Sequence, residues 1–346
     1  MKKMLLVLGV AAAAMTSCTS DEVLEMNPTN TIKFESFVNR GTRSVTSVTS
    51  PDATVDGNFE GLKSFYVFGY YDANNVVFNE DLVTKVENTT SNPPSIEWNY
   101  GTPKPWASGQ TYQFAAYATA NESADLNANF SNGVLSFSNF AVTDARDLVI
   151  AYVEDHSAGS DVDLSFKHKL AKVKFTFTNN SNADDDLTMQ VSDVTFSLVQ
   201  TGDYKSSVNN EWTVTGGVAA TTLTFKGTEN DTYISRNDAH PTNEHFVLPQ
   251  KLGTITASFT ASYYDKYKNL VKTITYDNIV LGGETVNGLD GEYWKPGYAY
   301  NYTASLPVSP SHIKFNVISV EDWGEGSGDT GTANVDNNTG SGSITF

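Results

Sequence analysis

Apolar and polar residues alternate in short segments along the whole chain, and Asn, Gly, Asp and Pro separate these segments. A period of two is typical of β-strands, and many short strands at this spacing predict an all-β protein built as a sandwich. The first segment is TIKFESFV at 31–38. The others lie at 62–72, 111–119, 133–142, 147–153, 164–179, 193–205, 221–228, 254–281, 293–306 and 312–323.

Two segments allow finer predictions. Segment 254–281 indicates a hairpin that turns at 265–269. In segment 164–179 the inward-facing residues would fall on even-numbered positions over 166–170 and on odd-numbered positions over 173–177. If both sets face one core, the register must slip, which predicts a β-bulge near residues 171–172. His168 would then point inward, and a hydrogen-bonded core histidine is preferred to a metal ligand.

The length of 346 residues suits two domains, each with its own core. The polar stretch EDHSAGSDVD at 154–163 is the best candidate for their boundary. The tail beyond 323 has too few apolar side chains to offset the entropy of ordering, so it is expected to be flexible. The predicted parts are a signal peptide (1–17), a polar tether (18–30), an N-terminal sandwich (31–158), a C-terminal sandwich (159–323) and a Gly/Ser/Asn tail (324–346).

The formal net charge of -18 argues against nucleic acid or an anionic membrane face as a partner, because both need clustered Lys and Arg. Solubility is the simpler explanation of the acidity.

The beginning of the chain predicts export. Lys2 and Lys3 precede a short apolar run that is followed by Cys18, the single cysteine. This order resembles a bacterial lipoprotein signal, with Cys18 as the lipidated residue, and acyl chains there would anchor the protein to the outer membrane. An ordinary secretory signal is the alternative. Asp21 and Glu22 resemble the surface-export signals of Bacteroidetes lipoproteins.

Sequence patterns of enzymes are missing. The five histidines lack the spacing of a zinc helix, and no phosphate-binding loop, dinucleotide fingerprint or nucleophile elbow is present. Residues 184–186 are three aspartates in a polar loop, a weak calcium candidate. Nothing in the sequence selects a pair of glycosidase carboxylates. The chain is therefore predicted to be neither an enzyme nor a cofactor protein.

Trp98, Tyr100 and Trp106 cluster in IEWNYGTPKPW. If exposed, the three rings would form a stacking platform for sugars. The alternative, which we prefer, is that they cover one end of the first core, because large aromatic side chains are mostly buried.

The order of several motifs resembles the fimbrillin family of the Bacteroidetes. These motifs are the lipoprotein signal, IKFESFV followed by TRS, FYVFGYY, IEWNYGTPKPWASGQTYQFAAYA, DLVIAYV, VDLSFKHKLAKVKFTF, YWKPGYAYNYT and IKFNVISVEDW. The resemblance implies two transthyretin-like β-sandwich domains and a subunit of surface fimbriae. It also implies assembly by a donor strand after Arg-specific proteolysis.

That implication explains why two of only four arginines, Arg40 and Arg43, directly follow the first apolar segment. A protease would cut after Arg43, or alternatively Arg40, and the strand holding Ile32, Phe34 and Val38 would leave its groove. Burial of these three side chains is worth about 5–9 kcal/mol. A strand from the next subunit would refill the groove by β-augmentation.

In this family the main-shaft subunits donate a C-terminal extension. Here 312–323 is expected either to donate or to complete the second domain, and only SITF in the tail is strand-like. A subunit without a good donor segment would accept a strand but give none. One expectation is therefore a position at the tip of the fimbria or an accessory position.

The leading hypothesis is thus a structural or tip subunit of cell-surface fimbriae. Its partners would be other fimbrial subunits, an Arg-specific protease and a host or bacterial surface receptor. The alternatives are a monomeric surface lipoprotein that binds glycans through exposed aromatics and, less favoured, a secreted hydrolase.

Overall fold

A computed structural model describes most of the alternating segments. The described residues are 30–38, 62–72, 75–88, 90, 95–119, 124–143, 147–207, 211–214, 219–228, 232–253, 255–281, 293–309 and 316–322. Cys18, Arg40, Arg43 and the tail 324–346 lie outside these ranges, and of Val38 only the backbone is described.

The described chain is all-β, which confirms the predicted fold class. One short 3-10 turn, Ala183–Asp185, interrupts the strands. The strands are β1 Phe34–Val38, β2 Ser64–Tyr71, β3 Asn75–Asn88, β4 Ser95–Asn99, β5 Thr111–Ala118, β6 Asn129–Ser131, β7 Val134–Ala141, β8 Val149–Ser157, β9 Val162–His168, β10 Ala171–Asn179, β11 Thr188–Leu198, β12 Thr201–Lys205, β13 Trp212–Val214, β14 Thr221–Phe225, β15 Ala239–Pro241, β16 His245–Val247, β17 Thr256–Tyr264, β18 Leu270–Val280, β19 Tyr298–Leu306 and β20 Asn316–Asp322.

The first large sheet has seven strands in the order β1-β9-β8-β5-β2-β3-β4. It curls so far that its two edge strands, β1 and β4, approach each other. Both faces of its central strand β5 are buried. Phe114 and Ala116 of β5 enter a core enclosed by the curl, whereas Ala115 and Tyr117 enter a second core on the other face.

That second core contains side chains from both the earlier and the later half of the chain. It lies against a four-stranded sheet in the order β13-β12-β7-β6. In this sheet β7 pairs antiparallel with β12, which comes some way later in the sequence. Tyr204 and Trp212 from the later half therefore pack with Phe137 and Phe140 from the earlier half.

A third core lies between the two remaining sheets, in the orders β15-β10-β19-β20 and β14-β11-β17-β18. The predicted hairpin is confirmed here as β17 and β18, and Asp265 N donates to Asn269 O across its turn at 3.0 Å. Of the last predicted strand, the structure describes the backbone of β20, which pairs antiparallel with β19 at the end of its sheet.

The bulge predicted near residues 171–172 is wrong, because its premise fails. β9 ends at His168 in the seven-stranded sheet, and β10 begins at Ala171 in another sheet. Phe166 and Phe175 therefore face different cores. His168 is a buried, hydrogen-bonded core residue as predicted, with its Nδ1 2.6 Å from Asp147 Oδ2.

The polar stretch 154–163 covers the end of β8, the connection 158–161 and the beginning of β9, and these two strands are neighbours in one sheet. The passage from the first sheet to the third core comes after His168. The division into domains, with its boundary between 158 and 159, stays a prediction.

Two further observations bear on function. Within the described ranges, no helix has the length and apolar character needed to cross a membrane. Over the same residues, no three His, Cys, Asp or Glu side chains are grouped so that they could hold a metal ion, and this includes the aspartates at 184–186.

Candidate functional site

The first strand is inserted between two other parts of the chain. On one side β1 runs parallel to β9, with Phe34 opposite Val162 and Val38 opposite Phe166. Val162 N donates to Lys33 O at 2.8 Å just before this ladder begins. Parallel pairing between segments so far apart in sequence is not visible in the alternation, so the sequence did not reveal this partner.

On its other side the beginning of the strand is held by the loop 100–106. Ile32 N donates to Lys104 O at 2.9 Å, and Trp106 N donates to Asn30 O at 3.0 Å. The Tyr100 hydroxyl donates to Ile32 O. We use the name first-strand groove for the space between β9 and loop 100–106 that residues 30–38 fill.

Two inward side chains of this strand are almost fully buried. The exposed fraction is 1% for Ile32 and 5% for Phe34. Four aromatic rings surround the Phe34 ring with centroid distances of 5.3–5.9 Å, and all four contacts are edge-to-face. They belong to Phe65, Phe78, Tyr100 and Phe114. Lys33 and Glu35, which alternate with the buried pair, are exposed.

Loop 100–106 is fixed in place by Lys104. The Lys104 ammonium donates to Val77 O at 2.6 Å and forms an ion pair with Asp81. It also lies 4.1 Å from the centroid of the Phe78 ring. These contacts tie the loop to β3, so the loop forms a wall of the first-strand groove. Sequence reasoning missed this role, because a loop rich in Gly and Pro carries no strand pattern.

The three aromatic residues of the predicted cluster contact the enclosed core. Trp106 is 5% exposed, and its ring meets Tyr112 edge-to-face at 4.7 Å. Trp98 and Tyr100 are half-buried against the same core, and burial raises the pKa of the Tyr100 hydroxyl. This placement fits the preferred interpretation, in which the rings cover one end of a core. The glycan-stacking interpretation stays an untested prediction.

The chain is similar to known proteins both in sequence family and in fold. A family model described as fimbrillin-like matches residues 46–323. A fimbrial protein from Bacteroides vulgatus superimposes with a TM-score of 0.57 at 15% identity, over 85% of this chain and 99% of that chain. A proposed cell adhesion protein from Parabacteroides distasonis superimposes with a TM-score of 0.52 at 11% identity, over 87% of this chain and 100% of that chain. A search of curated proteins found no match.

Proposed function

The chain belongs to the fimbrillin-like family, and from this membership and the groove geometry we propose that it is a fimbrial subunit assembled by strand exchange. The family supports a fimbrial or adhesive role at the cell surface. The more detailed proposal is that residues 30–38 are a removable insert, cut off by an Arg-specific protease and replaced by a strand of another subunit.

The burial of Ile32 and Phe34 in the first-strand groove is the observation that carries this proposal. A strand that is to be exchanged must fill a space that the rest of the fold leaves open. Each of these two side chains contributes about 1.5–3 kcal/mol by burial. Their departure would expose four aromatic rings and the edge of β9, so the emptied subunit would bind a replacement strand.

Proteolysis would make the exchange irreversible. In the intact chain, residues 30–38 stay tethered to the rest of the molecule, and a tethered strand returns to its groove faster than a free one. Hydrolysis after Arg43, or alternatively after Arg40, removes this tether. An acylated Cys18 would hold the precursor at the outer membrane until the cut releases it.

The cleavage proposal is tested with an Arg43→Ala, Arg40→Ala double variant. N-terminal sequencing of the protein recovered from the cell surface should give a start at Ser44 for the natural sequence. The double variant should remain a lipidated precursor and form no polymer. The same prediction applies in vitro, where an arginine-specific endoprotease should convert the precursor into ladder-forming oligomers.

A double variant that still polymerises normally would show that cleavage at these arginines is not required. A blocked, acylated Cys18 on the mature surface protein would instead favour a permanently anchored subunit or a monomeric glycan-binding lipoprotein. An affinity gel containing polysaccharide distinguishes the anchored subunit from the glycan-binding lipoprotein, because only the lipoprotein should bind the polysaccharide.

A further inference from the structure

Exposed aromatic and basic side chains are concentrated at the turn of the β17–β18 hairpin. Tyr267 is 74% exposed, and the exposed side chains of Lys266 and Lys268 flank it. A third lysine, Lys272, follows near the beginning of β18. Because the chain as a whole has 22 basic and 40 acidic residues, three lysines so close together produce a local positive potential.

Two more tyrosines extend this patch onto the outer side of the sheet. Tyr233 and Tyr264 are half-buried, and their rings meet edge-to-face with centroids 5.2 Å apart. The Lys268 ammonium lies 3.5 Å from the centroid of the Tyr233 ring, and the Lys266 ammonium lies 5.1 Å from that of the Tyr267 ring. We use the name hairpin-tip surface for Tyr233, Tyr264, Lys266, Tyr267, Lys268 and Lys272.

The turn that carries Tyr267 is fixed by Asp265. Its carboxylate accepts hydrogen bonds from Tyr267 N at 2.8 Å, from Asn269 N at 2.9 Å and from Asn269 Nδ2 at 2.9 Å. Asp265 is the only acidic residue between 264 and 272, and these bonds direct its carboxylate into the turn. A turn that is already ordered loses little conformational entropy when it binds a partner.

The sheet face beside the tip carries hydroxyl groups. Its outward positions hold Thr188 of β11, Thr260 and Ser262 of β17 and Thr273 of β18, each next to a buried residue. Ser262 Oγ lies 3.3 Å from Thr273 Oγ1, and the Lys268 ammonium donates to Thr188 Oγ1 at 3.5 Å. Hydroxyl groups both donate and accept hydrogen bonds, and their short side chains leave this face flat.

We propose that the hairpin-tip surface binds an acidic polysaccharide. The tyrosine rings would stack on the apolar faces of sugar rings, and the lysine ammonium groups would bind carboxylate or sulfate groups. The neighbouring hydroxyl groups would bind sugar hydroxyls. This inference goes beyond the proposed function, because it requires neither cleavage nor a second subunit.

The surface lies away from the first-strand groove. Strand β10 begins close to the end of β9 and runs to Asn179, after which Asn180 N donates to Leu306 O at 2.9 Å. At this end of the third core the Tyr263 hydroxyl donates to Pro307 O at 3.0 Å. The hairpin tip is therefore remote from β9, and a bound polysaccharide would leave the groove accessible.

A second kind of anionic partner, a lipid bilayer, must be weighed against the polysaccharide. Leu270 and Val271 next to the tip are 58% and 54% exposed, and a bilayer would take up such aliphatic side chains. On this part of the molecule, however, tyrosine rings and hydroxyl groups outnumber them. That composition favours a sugar chain.

Binding is measured with the purified, uncleaved protein in affinity gels that contain dextran sulfate, polygalacturonate or uncharged dextran. Dextran sulfate and dextran share one backbone, so they isolate the contribution of the anionic groups. We expect retardation by dextran sulfate and polygalacturonate but not by dextran, and the retardation should decrease as salt is added.

Two matched pairs of lysine variants locate the site. The Lys266→Gln, Lys272→Gln double variant should bind dextran sulfate about 10-fold more weakly. The Lys63→Gln, Lys167→Gln double variant removes the same charge from exposed positions in the first sheet and should match the natural sequence.

A tyrosine variant distinguishes sugar binding from attraction by charge alone. Tyr267→Ser should weaken binding to dextran sulfate about 5-fold, because a stacking ring is lost. It should leave binding to polyglutamate unchanged, since that polyanion has no sugar rings.

The acidic loop before β11 gives a test in the opposite direction. Asp184 and Asp186 precede Thr188 in the sequence and would repel an anionic ligand. The Asp184→Asn, Asp186→Asn double variant should therefore bind dextran sulfate about 3-fold more tightly.

Several outcomes would overturn the inference. These are no retardation by either acidic polysaccharide, equal effects of the two lysine pairs, and unchanged dextran sulfate binding by a folded Tyr267→Ser variant. Tighter binding to vesicles of phosphatidylcholine and phosphatidylglycerol than to the polysaccharides would identify a bilayer as the partner and would also overturn it. None of these results bears on strand exchange, because the protein is uncleaved throughout.

Discussion

At the scale of single residues, the burial of Phe34 was predicted from the sequence pattern and is the basis of the proposed strand exchange. Alternation alone placed Ile32 and Phe34 on the inner face of a strand, and both are buried. The sequence could not identify the four rings that contact Phe34, because these rings come from β2, β3, β5 and the loop after β4. Contacts between such distant segments depend on sheet order, which alternation does not encode.

A Phe34→Ala variant of the uncleaved chain should lose about 3–5 kcal/mol of unfolding free energy, because it leaves a cavity between well-packed rings. Urea unfolding followed by tryptophan fluorescence measures the loss. Lys33→Ala is the matched control, since Lys33 is the exposed neighbour, and it should change stability by less than about 0.5 kcal/mol. Equal effects of the two changes would show that the first strand contributes little to this state.

At the scale of elements, the curl of the seven-stranded sheet creates the groove. The curl brings β4 and the loop after it towards β1, so the first strand is held from both sides. Most of the strands that form this sheet were predicted from their period of two. The burial of both faces of β5 was not, because a period of two assigns one face to a core, and the partners that bury Ala115 and Tyr117 on the other face come from distant parts of the chain.

Gly69 permits the close packing of β2 and β5 inside the curl. A Cβ at this position would lie 2.7 Å from two atoms of the Phe114 ring, which is itself part of the Phe34 pocket. Gly69→Ala should therefore destabilise the protein by about 1–3 kcal/mol. Gly253→Ala is the control, because nothing lies within 4 Å of its added Cβ. Thermal unfolding of both variants tests the difference, and similar melting temperatures would contradict it.

At the scale of the whole molecule, the two halves of the chain share a core. Strand β12 of the later half pairs with β7 of the earlier half, and Trp212 Nε1 donates to Lys169 O at 2.7 Å. The sequence predicted two successive domains from the chain length, with the polar stretch at 154–163 as the best candidate for their boundary, and that division stays a prediction. Composition alone did not reveal that β8 and β9, which this stretch joins, are paired in one sheet.

A fragment of residues 30–168 should therefore not fold by itself. It lacks Tyr204, Trp212, Phe246 and Leu248, which cover one face of the seven-stranded sheet. Each such side chain contributes about 1.5–3 kcal/mol by burial. We expect poorly dispersed amide resonances and binding of a hydrophobic dye, with the full chain as the control. A cooperatively folded fragment would show that the shared core is dispensable.

The mixed pairing of the inserted strand has a geometric consequence. Residues 34–38 run parallel to β9, while residue 31 pairs antiparallel with residue 105. A replacement that satisfies both neighbours can enter in only one orientation, so every joint between successive molecules would be head-to-tail. Such a heterologous contact has no two-fold axis, and unless its rotation closes a ring it generates an open filament with two chemically different ends. Growth could then be stopped at one end by a molecule that accepts a strand but offers none.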